Sequence, residues 1–259
     1  TASFNTAVGT YSLYQNTTGA YNTAHGYDSL RCNTTGASNT AIGFQSLRVN
    51  TAGAANTASG YKALVANTTG SWNTATGINA LASNTTAGHN VATGYAALGS
   101  NTTGQYNTAT GKNSLASNTT GCHNTAHGYE ALQANTTGKW NTGTGQYALY
   151  NNTTACHSTA SGYKALFAAT TGCMNTADGD HALYANTTGY QNVAVGRGSL
   201  EQNTTGSCNV GVGYEAGPSS AALTNTVAIG HQASATATNS FVLGNTSHVL
   251  DIPSCKLKI

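Results

Sequence analysis

Six cysteines, eight histidines and seven carboxylates are the side chains through which this 259-residue chain could do chemistry. The carboxylates Asp28, Glu130, Asp178, Asp180, Glu201, Glu215 and Asp251 are dispersed, and no serine or cysteine motif recurs with a base and an orienting acid. The expectation is a protein that is not an enzyme and holds no cofactor. Cysteines Cys32, Cys122, Cys156, Cys173, Cys208 and Cys255 show no CxxC spacing, which argues against a zinc site. The interval from Cys156 to Cys173 is nevertheless the period of the whole chain.

That period is visible in 17-residue units such as NTAHGYDSLRCNTTGAS from Asn22, followed without a gap by NTAIGFQSLRVNTAGAA from Asn39. A glycine marks the phase at Gly9, Gly26, Gly43 and onward to Gly230, thirteen equal steps, since 230 − 9 = 13 × 17. So short a repeat implies a solenoid in which each coil buries its apolar face only against its neighbours. The predicted fold is all-β, a parallel β-solenoid of about 14 coils. Each coil is expected to hold two short strands, Tyr21 to His25 and Tyr27 to Cys32 in the second coil, with corners at Gly26 and at the Asn33-Thr-Thr-Gly36 turn.

Stacking the coils turns every position into a column. Leu13, Leu30, Leu47, Leu64, Leu81, Leu98, Leu115, Leu132, Leu149, Leu166, Leu183 and Leu200 form one column, which must be the core. A second column holds alanine (Ala7, Ala24, Ala41) and only shrinks, to Gly143 and Gly211, so it faces other backbone at close range. The next residue varies through Val8, His25, Ile42, Ser59, Thr76 and Asp178, a mixture that belongs on a wet side. One leucine and one alanine per coil make a thin core. Hydrogen-bonded ladders and association between chains are therefore expected to contribute to stability.

On this scheme Cys156 and Cys173 are stacked neighbours, at a separation that suits a disulfide. His89, His123 and His157 share a column with two periods between neighbours, about 10 Å, too far for one metal ion within a chain; only a three-histidine ring across three chains would serve. The same column carries Phe4, Tyr21, Trp72, Tyr106 and Trp140, and another carries Tyr27, Phe44, Tyr61, Tyr95, Tyr129 and Tyr163. Such rows either stack on sugar rings or pack as ladders and chain interfaces, and the second reading is favoured. Ten turns carry a sequon, at Asn16, Asn33, Asn67, Asn84, Asn101, Asn118, Asn135, Asn152, Asn186 and Asn203. They are candidate N-glycosylation sites, which would make the chain a glycan-coated fibril; the alternative, which is preferred, is an amide ladder running from coil to coil. Thr6, Thr23, Thr40, Thr57 and Thr74 form a threonine column that raises ice binding as a third reading, but its partner rank is expected on the NTT turn, where the two ranks would not share a strand.

Charged residues are 6% of the chain and the net charge is +2, with no basic stripe for nucleic acid. No apolar run approaches the roughly 20 residues of a membrane span. The chain begins at Thr1 in repeat-like sequence, without Met or signal peptide, and is expected to be a mature product or a fragment.

The repeat occupies 1–230, a 14-residue coil 231–247, and a tail 248–259 is expected to be an exit strand or junction. The stretch NTVAIGHQASATATNSFVLGN, Asn225 to Asn245, resembles the 14-residue head repeat of trimeric autotransporter adhesins of the YadA type, found also in phage and viral tail fibres. The 17-residue units resemble the same repeat with an enlarged turn. The resemblance implies a left-handed parallel β-roll, three chains side by side, and surface attachment to a host or glycan receptor. The expected protein is thus an extracellular, cell-surface or virion-surface fibre module that inserts in no membrane and assembles as a homotrimer or, through its first coil, as an end-to-end filament.

Overall fold

A computed structural model describes residues 2–245 and Ser247; the expected tail at 248–259, with Cys255, lies outside them. Fifteen of the strands form one parallel sheet whose order follows the chain, and the described residues include no helix. Strands are three residues long, as at Thr23–His25 and Thr40–Ile42. Each pairs with the next at an offset of one period, Thr23 with Thr40, Ala24 with Ala41 and His25 with Ile42. The last step is a shorter, 14-residue coil, which pairs Val227 with Phe241 and bonds Asn225 to Asn239. The chain is therefore a β-solenoid with 17-residue coils, as its period requires.

Only the central residue of each strand points inward. Ala24, Ala41, Ala58, Ala75 and Ala92 are wholly buried while their neighbours on either side reach solvent. This follows from the alternation of side chains along a strand. The column does not grow beyond alanine for a physical reason. A Cβ on Gly143 would stand 3.2 Å from the Ala148 carbonyl oxygen and 3.4 Å from Leu132 Cγ. Leucines from Leu30 to Leu200 are buried without exception, and Leu13, nearer the end of the rod, packs against them while half-buried.

The core is thicker than one leucine and one alanine. From the second coil on, the residue before each leucine is also buried, as Ala63, Ala80, Ala97 or Ser114, and so are the unit-opening asparagines from Asn22 to Asn209.

The second expected strand, Tyr27 to Cys32, is not a strand. It is a run of turns in which Asp28 (φ 56°) and Leu30 (φ 48°) take left-handed conformations. Such conformations cost about 1–2 kcal/mol each for residues with a Cβ. Stacking over-determines them: Asp28 donates its N–H back to Thr10, while Leu30 and Cys32 donate theirs to Ser46 and Arg48 in the next coil. The segment so bonds like a strand without strand dihedrals. A true second strand forms only where the leucine column ends: Gly217–Pro218 pairs with Ser234–Ala235. The first expected strand is trimmed from Tyr21–His25 to Thr23–His25.

The phase-marking glycine makes the other corner. Gly128 has φ +134°, and a Cβ there would lie 2.6 Å from the Gly145 carbonyl oxygen. Two substitutions test this packing by thermal and denaturant melting. Leu115→Ala should cost about 2–5 kcal/mol by leaving a cavity in the leucine column. Gly128→Ala, though smaller in volume change, should lower the melting temperature through left-handed strain and backbone collision, whereas an unchanged melt would contradict the corner geometry.

Candidate functional site

The turn asparagines are built into the interior. Asn118 is fully buried; its Nδ2 donates to Asn101 Oδ1 at 2.7 Å and to the Gly121 carbonyl at 3.0 Å, and its own Oδ1 accepts from Asn135. The same bonds recur at Asn33, Asn67, Asn84, Asn101 and Asn135, and Asn203 donates to Asn186. Asn50 belongs to no sequon yet occupies the ladder identically, donating to Asn33 Oδ1 and the Gly53 carbonyl. Ladder membership thus depends on the amide and not on the sequon. A glycan would have to replace an Nδ2 hydrogen already bonded inside the coil, so the folded rod leaves these buried asparagines no room for one; Asn16 is half-buried and Asn152, Asn186 and Asn203 are buried.

The sequence reading missed a second amide ladder, that of Asn22, Asn39, Asn56 and their repeats. Here Nδ2 donates to a carbonyl in the following turn, as Asn22 to Gly36, while Oδ1 accepts the next asparagine's backbone N–H, as from Asn39. The signal was available in a polar residue that barely varies through the repeats. A third ladder uses the first turn threonine. Thr34 Oγ1 donates to the Thr51 carbonyl, Thr51 to Thr68, and so on to Thr204 and Ala221. These hydroxyls are committed to the fold. The threonines of the strands are not: among the described residues, no strand threonine hydroxyl has a hydrogen-bond partner in the protein.

One exposed column is aromatic. Trp72, His89, Tyr106, His123, Trp140 and His157 form an unbroken stack with ring centroids 4.8 to 5.7 Å apart and interplanar angles of 6 to 12°. The ring faces are taken up by one another and the edges remain outside. Phe4 stacks on Tyr21, and Tyr27, Phe44 and Tyr61 make a shorter stack in the neighbouring column. A sugar ring stacks on an aromatic face, and along these runs the interior faces are occupied. His89, His123 and His157 are kept apart by Tyr106 and Trp140, and among the described residues no three metal-binding side chains converge.

Charges are few, and the ion pairs gather at Asp28 and around Arg197. Asp28 is buried between Arg31 at 3.6 Å and Arg48 at 3.7 Å, one from its own coil and one from the next. A cleft of about 420 Å³ opens where Gly217 replaces the core leucine, with Glu201, Glu215, Gln232 and Ser219 on its walls. Gln232 donates to Glu215 at 3.0 Å; that bond first, and then one from Tyr214, holds the Glu215 carboxyl below its ordinary range.

Cys156 and Cys173 are free thiols with sulfurs 3.0 Å apart. The bond to Cys173, then burial, pushes Cys156 up to about 11, so it stays a neutral, slowly alkylated thiol until pH climbs towards that value. The pair spans the coil junction at which the turn ladder is broken. Ala169 stands where the next asparagine belongs, and Asn152 Oδ1 is buried with no partner. The sequence matches no protein-family model, and no curated protein is significantly similar to it.

Two outcomes follow from this junction. Ala169→Asn should supply the missing donor to Asn152 and raise stability by about 0.5–1.5 kcal/mol, read by denaturant melting; a loss of stability would mean that the packing around Ala169 cannot take an amide. Under excess glutathione disulfide, Cys156 and Cys173 should couple, their two hydrogens leaving with the reagent as two glutathione thiols. The closed loop should add about 3 kcal/mol on the chain-entropy account, and peptide mapping should find Cys156 joined to Cys173 and not to Cys122 or Cys208.

Proposed function

We propose that this chain is a non-enzymatic fibre or stalk module of a surface-attachment protein, outside the cell or on a virion, acting as a parallel homo-oligomer and most simply a trimer. The observation that carries this reading is the uninterrupted one-dimensional array, fifteen strands in chain order, with side-chain ladders running along it. Such a body is a spacer: each coil adds about 4.8 Å of length and asks nothing of distant parts of the sequence. The exposed aromatic stack supports association, since Trp72 is 62% and Trp140 50% exposed while lying in one continuous stripe. Stripes of this kind are covered in chain–chain contacts more often than left in water. The terminal unit, Asn225 to Asn245, supports the trimer through its likeness to adhesin heads.

Light scattering on the purified chain at low concentration tests the assembly. The expected mass is three times the 26.2 kDa of one chain, on rods visible by electron microscopy, and Trp72→Ser with Trp140→Ser should shift it towards single chains without loss of β signal. A folded, monodisperse single chain would overturn the assembly, and masses that grow with concentration would point to end-to-end filaments instead.

A further inference from the structure

We propose that the outer face of the parallel sheet between Thr57–Ser59 and Thr159–Ser161 is an ice-binding surface. The expected partner rank on the NTT turn is unsuitable, because its hydroxyls are spent in the Thr34 to Thr51 ladder and its repeats. The structure supplies another. Residues flanking the buried centre of a strand both point outward, so a Thr-x-Thr strand presents two hydroxyls at once, as at Thr74–Thr76, Thr108–Thr110 and Thr142–Thr144.

The array spans seven consecutive strands, of which five carry a hydroxyl pair and two, at Val91–Thr93 and Thr125–His127, carry a single hydroxyl. The first rank runs one residue per coil from Thr57 to Thr159 and is broken only by Val91; the second runs from Ser59 to Ser161 and is broken only by His127. The registry never slips. Thr74 pairs with Val91 and Thr76 with Thr93, then Val91 with Thr108 and Thr93 with Thr110. No carboxylate, lysine or arginine interrupts either rank in this stretch, and Asp178 enters only on the strand beyond it.

The geometry fixes both repeats. Along the rod the hydroxyls recur about every 4.8 Å, and across a strand, two residues at about 3.3 Å each, the ranks lie about 6.6 Å apart. Hexagonal ice is a solid whose oxygen rows repeat on this scale in both directions. The hydroxyls have no protein partner and so are free to hold water. Threonine is stiff at χ1 and in-register stacking restrains it further, so little side-chain freedom is lost when the water above becomes ordered. The methyl groups beside each hydroxyl favour ordered over bulk water at the same surface. Many weak contacts in fixed register then act together, which a soluble sugar or peptide, with no two-dimensional lattice, cannot match.

The test uses the whole chain. Thermal hysteresis and shaped crystal growth are expected from the wild type, and fluorescently labelled protein should coat an ice surface. Thr93→Tyr with Thr110→Tyr, in the middle of the array, should abolish both while leaving circular dichroism and the melting temperature unchanged, since these side chains point into water. Tyr106→Ala, on the aromatic column, should leave ice activity intact. A folded wild type without hysteresis, or a folded double variant that keeps it, overturns the proposal; neither result bears on the fibre reading, whose test is molecular mass. If the tyrosine pair disturbs folding, Thr93→Ala with Thr110→Ala removes the hydroxyls at smaller volume and should still diminish the hysteresis.

Discussion

Everything in this rod depends on buried amides that bond to copies of themselves one coil away. A buried polar group is costly unless every donor and acceptor finds a partner, and asparagine, with two donors on nitrogen and two lone pairs on oxygen, can serve the coil above, the coil below and a local carbonyl together. Asn118 does all three. The requirement fixes the period. Insert one residue and the amide meets no amide, so the 17-residue spacing is held by hydrogen-bond satisfaction as strictly as by the leucines. The shorter coil is tolerated only at the end of the rod, past the last member of the turn ladder at Asn203.

The same stacking limits composition. Each side chain has a copy of its own column about 4.8 Å above and below, so a repeated charge would repel itself along the whole molecule. Neutral hydroxyls, amides and rings gain from repetition, which accounts for a charged fraction of 6%. The ion pairs that form are shared across coils: Asp28 lies between two arginines, and Arg197 reaches both Asp180 and Glu215. Rings behave oppositely to charges. A column of them stacks into a continuous stripe, and the stripe hides the faces that a lone exposed ring would offer to a ligand.

The period, the leucine core and the inward alanine were legible because they are columns of one residue type, and a column is visible without knowledge of dihedrals. The Tyr27 to Cys32 segment was misjudged for the opposite reason. Its six residues between two corners look like a strand, but left-handed Asp28 and Leu30 carry the segment through turns that bury Asp28, Ser29 and Leu30 in succession, and no residue-type signal marks a leucine forced into that conformation by its neighbours. The asparagine sequons were ambiguous in sequence, since a glycosylation motif and an amide ladder need the same residue; burial separates them. The paired threonine ranks were present in the letters of Thr74-Ala75-Thr76, yet their value depends on knowing that both flanks of a three-residue strand face outward.

One coil shows how such an array can be weakened and repaired. Ser158 replaces an asparagine of one ladder and Ala169 an asparagine of the other, within a single repeat. The serine partly compensates, receiving the Asn175 N–H on its hydroxyl and passing its own N–H to Asn141, and Asn175 Nδ2 turns to the Gly172 carbonyl that both missing amides would have filled. Nothing compensates for Asn152. In a repeat protein stability is carried by nearest-neighbour interfaces, so a deficit at one junction is not spread over the others. Cys156 and Cys173 cross that same junction. A covalent link there would join the two blocks of coils across a junction where one hydrogen-bond ladder is broken, so the disulfide would act on a contact that the amides leave incomplete.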